Sequence, residues 1–230
     1  MSCLATGTFA SENDLSLIIV YGGTFDPPHL AHLGVMQAAL QQLPEARLLL
    51  LPCYMPVHKA RPGASAAHRL GMLSAMLAAE PQLMGRVQID DRELQAESPR
   101  YTVDTLAELR AELGSDQPLA FLMGGDSLQG LSSWQRWREL TNFCHLLVYP
   151  RPGYALPQEG VLGQFLAGKW LPNQQCARLA QTPFGQACLL SGTLMPAASR
   201  EIRAGAASMH SSVPKSVLKY IEQYSLYQNS

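Results

Sequence analysis

An aliphatic run that breaks into paired glycines and then into a helix start constrains this chain more than any other feature. Leu15-Ser16-Leu17-Ile18-Ile19-Val20-Tyr21 is followed directly by Gly22-Gly23-Thr24-Phe25-Asp26-Pro27-Pro28-His29-Leu30-Ala31-His32. The run is short, apolar and β-branched at its centre, so it reads as a buried strand. A strand that turns on glycine into a helix opens a βαβ unit. Glycine lets backbone approach an anion closely, and a helix starting near His29 aims free N–H groups and the positive end of its dipole at the same place. His29 and His32, three apart on one helical face, direct their rings there as well. Phosphate is the ligand that fits. Each part alone has a plainer reading, because Gly-Gly is a common turn and a His pair without a third ligand is at most half a metal site.

The remaining sequence bounds the classes this unit can belong to. A chain of 230 residues holds a sizeable core in one α/β domain, or one domain with an insertion. Its net charge of −1, with basic residues scattered, argues against a dedicated binder of nucleic acid or anionic membrane. The five cysteines, Cys3, Cys53, Cys144, Cys176 and Cys188, are widely spaced and odd in number, so neither a disulfide framework nor a zinc site is expected. No apolar stretch has the length to span a bilayer and no signal peptide is apparent, so the expected location is the cytoplasm. Residues 1–16 are expected as a loose tail and residues 17–230 as one domain.

Strand-like and helix-like segments alternate, the pattern of a doubly wound parallel sheet. Leu33, Met36, Leu40 and Leu43 hold helical spacing behind His32, and Pro44 ends that helix before the strand Arg47–Leu51. An Ala-, Leu- and Met-rich helix is expected from about Ser65 to Glu80, its methionines serving as core filler. Further strands are expected at Arg86–Asp90, Leu119–Met123 and Cys144–Tyr149, making five with the first two, and a helix at Thr102–Leu113. From Pro150 to about Gln186 the chain lacks periodicity and reads as a surface connection or small insertion. Val213, Val217, Ile221 and Tyr224 mark a closing amphipathic helix entered through Pro214.

Four more stretches carry chemistry. Pro52-Cys53-Tyr54-Met55-Pro56-Val57-His58-Lys59 follows the second strand, where open α/β sheets place ligand loops, although a solvated loop looks the same. Gly124-Gly125-Asp126 ends the fourth strand. A carboxylate there accepts from a ribose diol or caps the next helix, and Trp134 and Trp137 offer flat faces to an aromatic ring or to the core. Thr102 is a helix N-cap by its own chemistry, and a helix start receives a carboxylate. Ser199 to Arg203 reads either as a solvated face or as a short helix turned toward phosphate.

These motifs together resemble one family. The first closely resembles the nucleotidyltransferase signature GGTFDPxHxGH, departing only where Ala31 replaces its penultimate glycine. Pro52–Lys59 resembles the PxxxPxHK segment of nicotinate- and nicotinamide-mononucleotide adenylyltransferases. Gly124 to Trp134 is similar to their GxD followed by Trp, and Ser98–Leu106 to their SYTxxTL. Pro196–Arg203 is similar to their ISSTxIR at Ser199, Ile202 and Arg203, with Ala197, Ala198 and Arg200 in place of Ile, Ser and Thr. The resemblance runs from Leu17 to Tyr227. It implies a Rossmann-like fold and a nicotinate-nucleotide adenylyltransferase of the bacterial type, which makes deamido-NAD and pyrophosphate from ATP and nicotinate mononucleotide.

Site residues follow from the resemblance one by one. Gly22, Gly23, Thr24, Phe25, His29 and His32 would meet ATP, with Gly124 and Asp126 on its ribose and Ser199, Ile202 and Arg203 on its triphosphate. Tyr101 and Thr102 would hold the pyridine carboxylate, Trp134 would stack on the nicotinate ring, and His58 would contact phosphate. His29, His32, Lys59 and Arg203 would carry catalysis with Mg²⁺ brought largely by ATP and water, so no protein metal cage is expected. The expected partners are ATP and nicotinate mononucleotide, without nucleic acid or membrane, and compatible with a homo-oligomer. Pantetheine-phosphate adenylyltransferase, another small-molecule nucleotidyltransferase and a non-catalytic nucleotide-binding regulator stand as alternatives.

Overall fold

The computed structural model describes residues 15–54, 62–96, 98–192 and 210–227. Its strands are β1 (Ile18–Gly23), β2 (Arg47–Pro52), β3 (Val87–Ile89), β4 (Leu119–Gly124), β5 (His145–Tyr149) and β6 (Ala187–Leu189). Its α-helices are α1 (Leu30–Gln42), α2 (Ala66–Ala78), α3 (Thr102–Leu113), α4 (Gly125–Gln129), α5 (Gly160–Leu166) and α6 (Lys215–Gln223). All strand pairs are parallel, in the order β3-β2-β1-β4-β5-β6. This is the Rossmann-like doubly wound sheet.

Covered on both faces, the central strands need no polar alternation, which is why β1, β2 and β4 read as continuous apolar runs. One set of side chains, Ile19, Leu48, Leu50, Ala120 and Leu122, packs with Met36, Ala39 and Leu40 of α1, Met72, Leu73 and Met76 of α2, and Val217 and Ile221 of α6. The other, Ile18, Val20, Phe121 and Met123, packs with Val103, Leu106 and Leu109 of α3 and with Trp137 and Leu140. Each large aliphatic side chain so buried contributes about 1.5–3 kcal/mol. The methionines of α2, Met72 and Met76, are core filler as expected.

Several expectations need correction. The sheet has six strands and not five, because β6 adds three residues at the edge. So short a strand carries no pattern of its own, and its pairing with β5 defines it. The stretch expected as a surface connection or small insertion is not merely a surface connection: it holds α5 and a 3₁₀ segment, Asn173–Gln181, burying Leu162, Leu166, Cys176 and Leu179 on the way to β6. Cys176 and Cys188 form a disulfide with Cα atoms 5.6 Å apart, where none was expected. The packing of Asn173–Gln181 against β6 brings them together, which sequence spacing does not display. Finally, Tyr101 is the N-cap of α3 and Thr102 its first helical residue, so the helix starts one position earlier than the hydroxyl capping chemistry of Thr102 suggested.

Strand order positions the site. β1 and β4 are neighbours, and the chain builds outward from them in opposite directions. At such a reversal the loops leave to opposite sides, opening a crevice at the carboxyl edge. Gly23 is level with Pro52 of β2, and Gly124 with Tyr149 of β5, so the motif loops all emerge along that edge.

Candidate active site

The turn after β1 is built for close approach. A Cβ on Gly23 would stand 2.9 Å from the Phe25 ring, and one on Gly22 3.3 Å from Phe121, so larger residues displace the aromatic floor. Phe25 is 1% exposed and its ring packs against Tyr21 and His32, at centroid distances of 5.7 and 4.9 Å. Only its backbone is left to serve a nucleotide, which narrows the part expected of Phe25. The Cys53 N–H donates to Gly23 O at 2.9 Å, tying the exit of β2 to this turn.

His29 is the extended N-cap of α1, and its ring stacks on His32 at 3.7 Å between centroids and 24° between planes. The His29 N–H donates to His32 Nδ1 at 3.2 Å. An accepting Nδ1 places the proton of the neutral His32 ring on Nε2, making that atom the donor. His29 is buried, and burial, helped by the Arg151 guanidinium, pushes its pKa down to about 4. It is neutral at physiological pH. Its Nδ1 is buried with no hydrogen-bond partner among the described residues, a polar atom suited to a ligand oxygen.

Across the crevice, Asp126 enters α4 directly after β4. Its Oδ1 occupies the space that a Gly124 Cβ would take, so glycine lets this carboxylate fold back over the strand end. Arg151 Nη1 holds Asp126 Oδ2 at 3.0 Å. Arg151 was missed by sequence reasoning, although a basic residue two positions after β5 ends was the available signal. It acts on three site residues at once: it pairs with Asp126, lowers the His29 pKa, and opposes the upward shift that burial gives the Tyr21 hydroxyl. Asp26 was also underread. Nearly fully buried, it accepts from the N–H groups of Gly63 and Ala64 at 2.7 and 3.0 Å and from the Tyr227 hydroxyl at 2.7 Å.

A second cluster lies at the start of α3. Tyr101 is exposed there, and Asp104 in the first helical turn pairs with Arg136, two residues after Trp134. Trp134 is half-buried and stands edge-on to Phe121 at 6.1 Å. Its neighbour in sequence, Trp137, is core, packed edge-on against Phe165 at 4.8 Å. The core reading therefore holds for Trp137, while Trp134 lies at the margin of the same cluster, partly exposed. His58, Lys59, Ser199, Ile202 and Arg203, with Ala197, Ala198 and Arg200, lie outside the described residues, as do residues 1–14 of the expected tail. Ala31 is 3% exposed in the first turn of α1, its methyl packed inward.

Parallel strands in this order, a glycine turn at the β1 exit and a histidine pair at the α1 start define the class, a nucleotide-binding α/β fold of the nucleotidyltransferase kind. The family described as cytidylyltransferase-like matches residues 20–196. The chain is 40% identical over 225 residues to the "Probable nicotinate-nucleotide adenylyltransferase" of Stenotrophomonas maltophilia, across 94% of this chain and 98% of the relative. It is 42% identical over 213 residues to the protein of that name from Cellvibrio japonicus, across 91% of this chain and 97% of the relative. Its fold is similar to that of Plasmodium falciparum nicotinic acid mononucleotide adenylyltransferase, solved in complex with NaAD, with a TM-score of 0.70 at 18% identity over 94% of this chain and 98% of the other. The chain belongs to the nicotinate-nucleotide adenylyltransferase family.

Proposed function

We infer that this enzyme transfers the adenylyl group of ATP to nicotinate mononucleotide, releasing pyrophosphate and forming deamido-NAD. The observation that carries the reading is the stacked His29–His32 pair beside the Gly22-Gly23 turn, at the point where strand order reverses. A phosphate oxygen of the mononucleotide attacks the α-phosphorus of ATP while the bond from that phosphorus to the bridging oxygen breaks, and the electron pair leaves on pyrophosphate. No covalent enzyme intermediate is needed, so the protein's work is alignment and stabilisation of developing charge. His32 Nε2–H donates to the phosphate oxygens, its orientation set by the His29 N–H. Neutral His29 offers buried Nδ1 without adding charge. Lys59, Arg203, Ser199 and Ile202 are proposed to close on the triphosphate, and His58 on phosphate.

ATP enters as its Mg²⁺ complex. The carboxylates nearest the turn are already engaged, Asp26 by Gly63, Ala64 and Tyr227, and Asp126 by Arg151. This donor set suits a metal that travels with the nucleotide phosphates. At the other end, Gly124 and Asp126 face the adenosine ribose, Trp134 takes the pyridine ring, and the N–H groups opening α3 at Tyr101 and Thr102 receive the carboxylate. The test is pyrophosphate release from ATP with nicotinate mononucleotide, nicotinamide mononucleotide and phosphopantetheine offered in turn. Nicotinate mononucleotide should be turned over fastest. Preference for phosphopantetheine, or release with none of them, would overturn the reading.

A further inference from the structure

Arg69, in the first turn of α2, is 1% exposed and reaches back to the two loops that flank the glycine turn. Its Nη1 donates to Thr24 O at 2.9 Å and to Cys53 O at 2.6 Å, and its Nη2 to Tyr54 O at 2.9 Å. Its Nε is buried without a partner, and none of the ion pairs among the described residues includes it. A buried guanidinium compensated only by carbonyls is costly, and an aliphatic side chain would fill the same space in the core at lower cost. The arrangement therefore serves something other than packing. A peptide plane points its C=O and N–H in opposite directions, so clamping Thr24 O and Cys53 O toward α2 turns the N–H groups of Phe25 and Tyr54 the other way. The planar fork of arginine can hold three carbonyls from two loops, which a lysine ammonium on a flexible stem cannot reproduce.

We propose that Arg69 is a positioning residue for nucleotide binding, holding the β1 and β2 exit loops in one register so that the Phe25 and Tyr54 N–H groups face the ATP phosphates. The proposal rests on the reading that this turn binds ATP. It is tested with Arg69→Lys, Arg69→Gln and the core truncation Leu166→Ala on the opposite face of the sheet, where Leu166 is fully buried. Each is assayed well below its own Tm for affinity toward a non-hydrolysable ATP analogue. Both Arg69 variants should lose at least about tenfold in affinity, Lys included because it keeps the charge but not the fork. Their KM for the acceptor mononucleotide should change less than about threefold, and Leu166→Ala should keep parental affinity despite a lowered Tm. Parental affinity in a folded Arg69 variant, or an equal loss in Leu166→Ala, would overturn the proposal. Should the Arg69 variants not fold, ¹⁵N resonances of the parent decide: the Phe25 and Tyr54 amides should shift as the analogue is added, and no shift at either sinks the assignment. A parent that binds no ATP analogue refutes the underlying reading, whereas one that binds it but uses another acceptor refutes only the choice of acceptor.

Discussion

His32 carries the clearest single-residue consequence. Its Nδ1 accepts from the His29 N–H, which places the ring proton on Nε2, the atom proposed to donate to developing phosphate charge. A positioned donor of this kind contributes about 3 kcal/mol to the transition state. His32→Ala should lower turnover by more than about tenfold with circular dichroism unchanged, and a variant running at the parental rate would remove His32 from the chemistry. His29 should be read out in stability. Its pKa falls to about 4 in the fold from the ordinary value near 6.5, so between those values the unfolded chain binds the extra proton. Its neutral ring therefore contributes nothing adverse above pH 6.5, and stability is lost as pH falls toward 4, by up to about 3 kcal/mol. His145, also shifted down by burial, adds with the same sign, whereas Glu93, shifted up by burial, opposes it. Replacing His29 isolates its share: the Tm of the parent should fall more steeply than that of His29→Asn between pH 7 and pH 4.

At the scale of elements, the start of α3 and the segment carrying Trp134 are linked by the Asp104–Arg136 pair and are proposed to act together on the pyridine ring. A stacked tryptophan does not distinguish carboxylate from carboxamide, since both pyridine rings present the same face. The helix-start N–H groups do, because the amide NH₂ meets donors and leaves polar groups unpaired at roughly 1–3 kcal/mol each. Nicotinate mononucleotide should therefore be preferred by at least about tenfold in kcat/KM. Trp134→Ala should weaken both substrates in similar proportion, and a variant that loses only one of them would show that the stacking account is wrong. The Arg136–Asp104 pair that links these elements is nearly half-exposed on both sides, so its worth to stability is at most about 1 kcal/mol. Arg136→Ala should leave Tm almost unmoved and raise KM for the mononucleotide severalfold; an unchanged KM would mean the pair does not align the two elements.

Across the whole molecule, Asp26 joins parts that sequence holds far apart. Tyr227 donates to it across a separation of 201 positions, while Gly63 and Ala64 hold it from the loop that leads into α2. A hydrogen bond to a buried carboxylate is worth about 1.5–3 kcal/mol, and Asp26 retains its backbone donors when the hydroxyl is removed. Tyr227→Phe should thus lower Tm by about 3–12 °C with the fold intact. Thermal unfolding checks this, and an unmoved Tm would show that the C-terminal segment is held by packing alone.

Much of this protein was legible before any tertiary contact was known. The β1 run with its glycine turn, the spacing of Leu33, Met36 and Leu40, and the alternation of apolar strands with amphipathic helices are local periodicities, and local periodicity specifies element type and the parallel class. The strand–turn–helix unit that carries Gly22, Gly23, His29 and His32 was legible for the same reason, since it is built from neighbours along the chain. What lay beyond reach is pairing between distant segments. β6 is a strand because β5 offers it an edge, and Cys176 meets Cys188 because a 3₁₀ segment packs on that strand. Trp134 is half-buried while Trp137 is core, on either side of the turn at Arg136, whose φ of 48° belongs to no pattern. Arg151 and Arg69 entered the site only when β5 and α2 folded against the glycine turn. Sequence by itself determined the central strands, the helices between them and the strand–turn–helix unit of the first motif, because those depend on neighbours along the chain. The electrostatic surroundings of that chemistry were decided by tertiary structure alone, since desolvation and charge act through space.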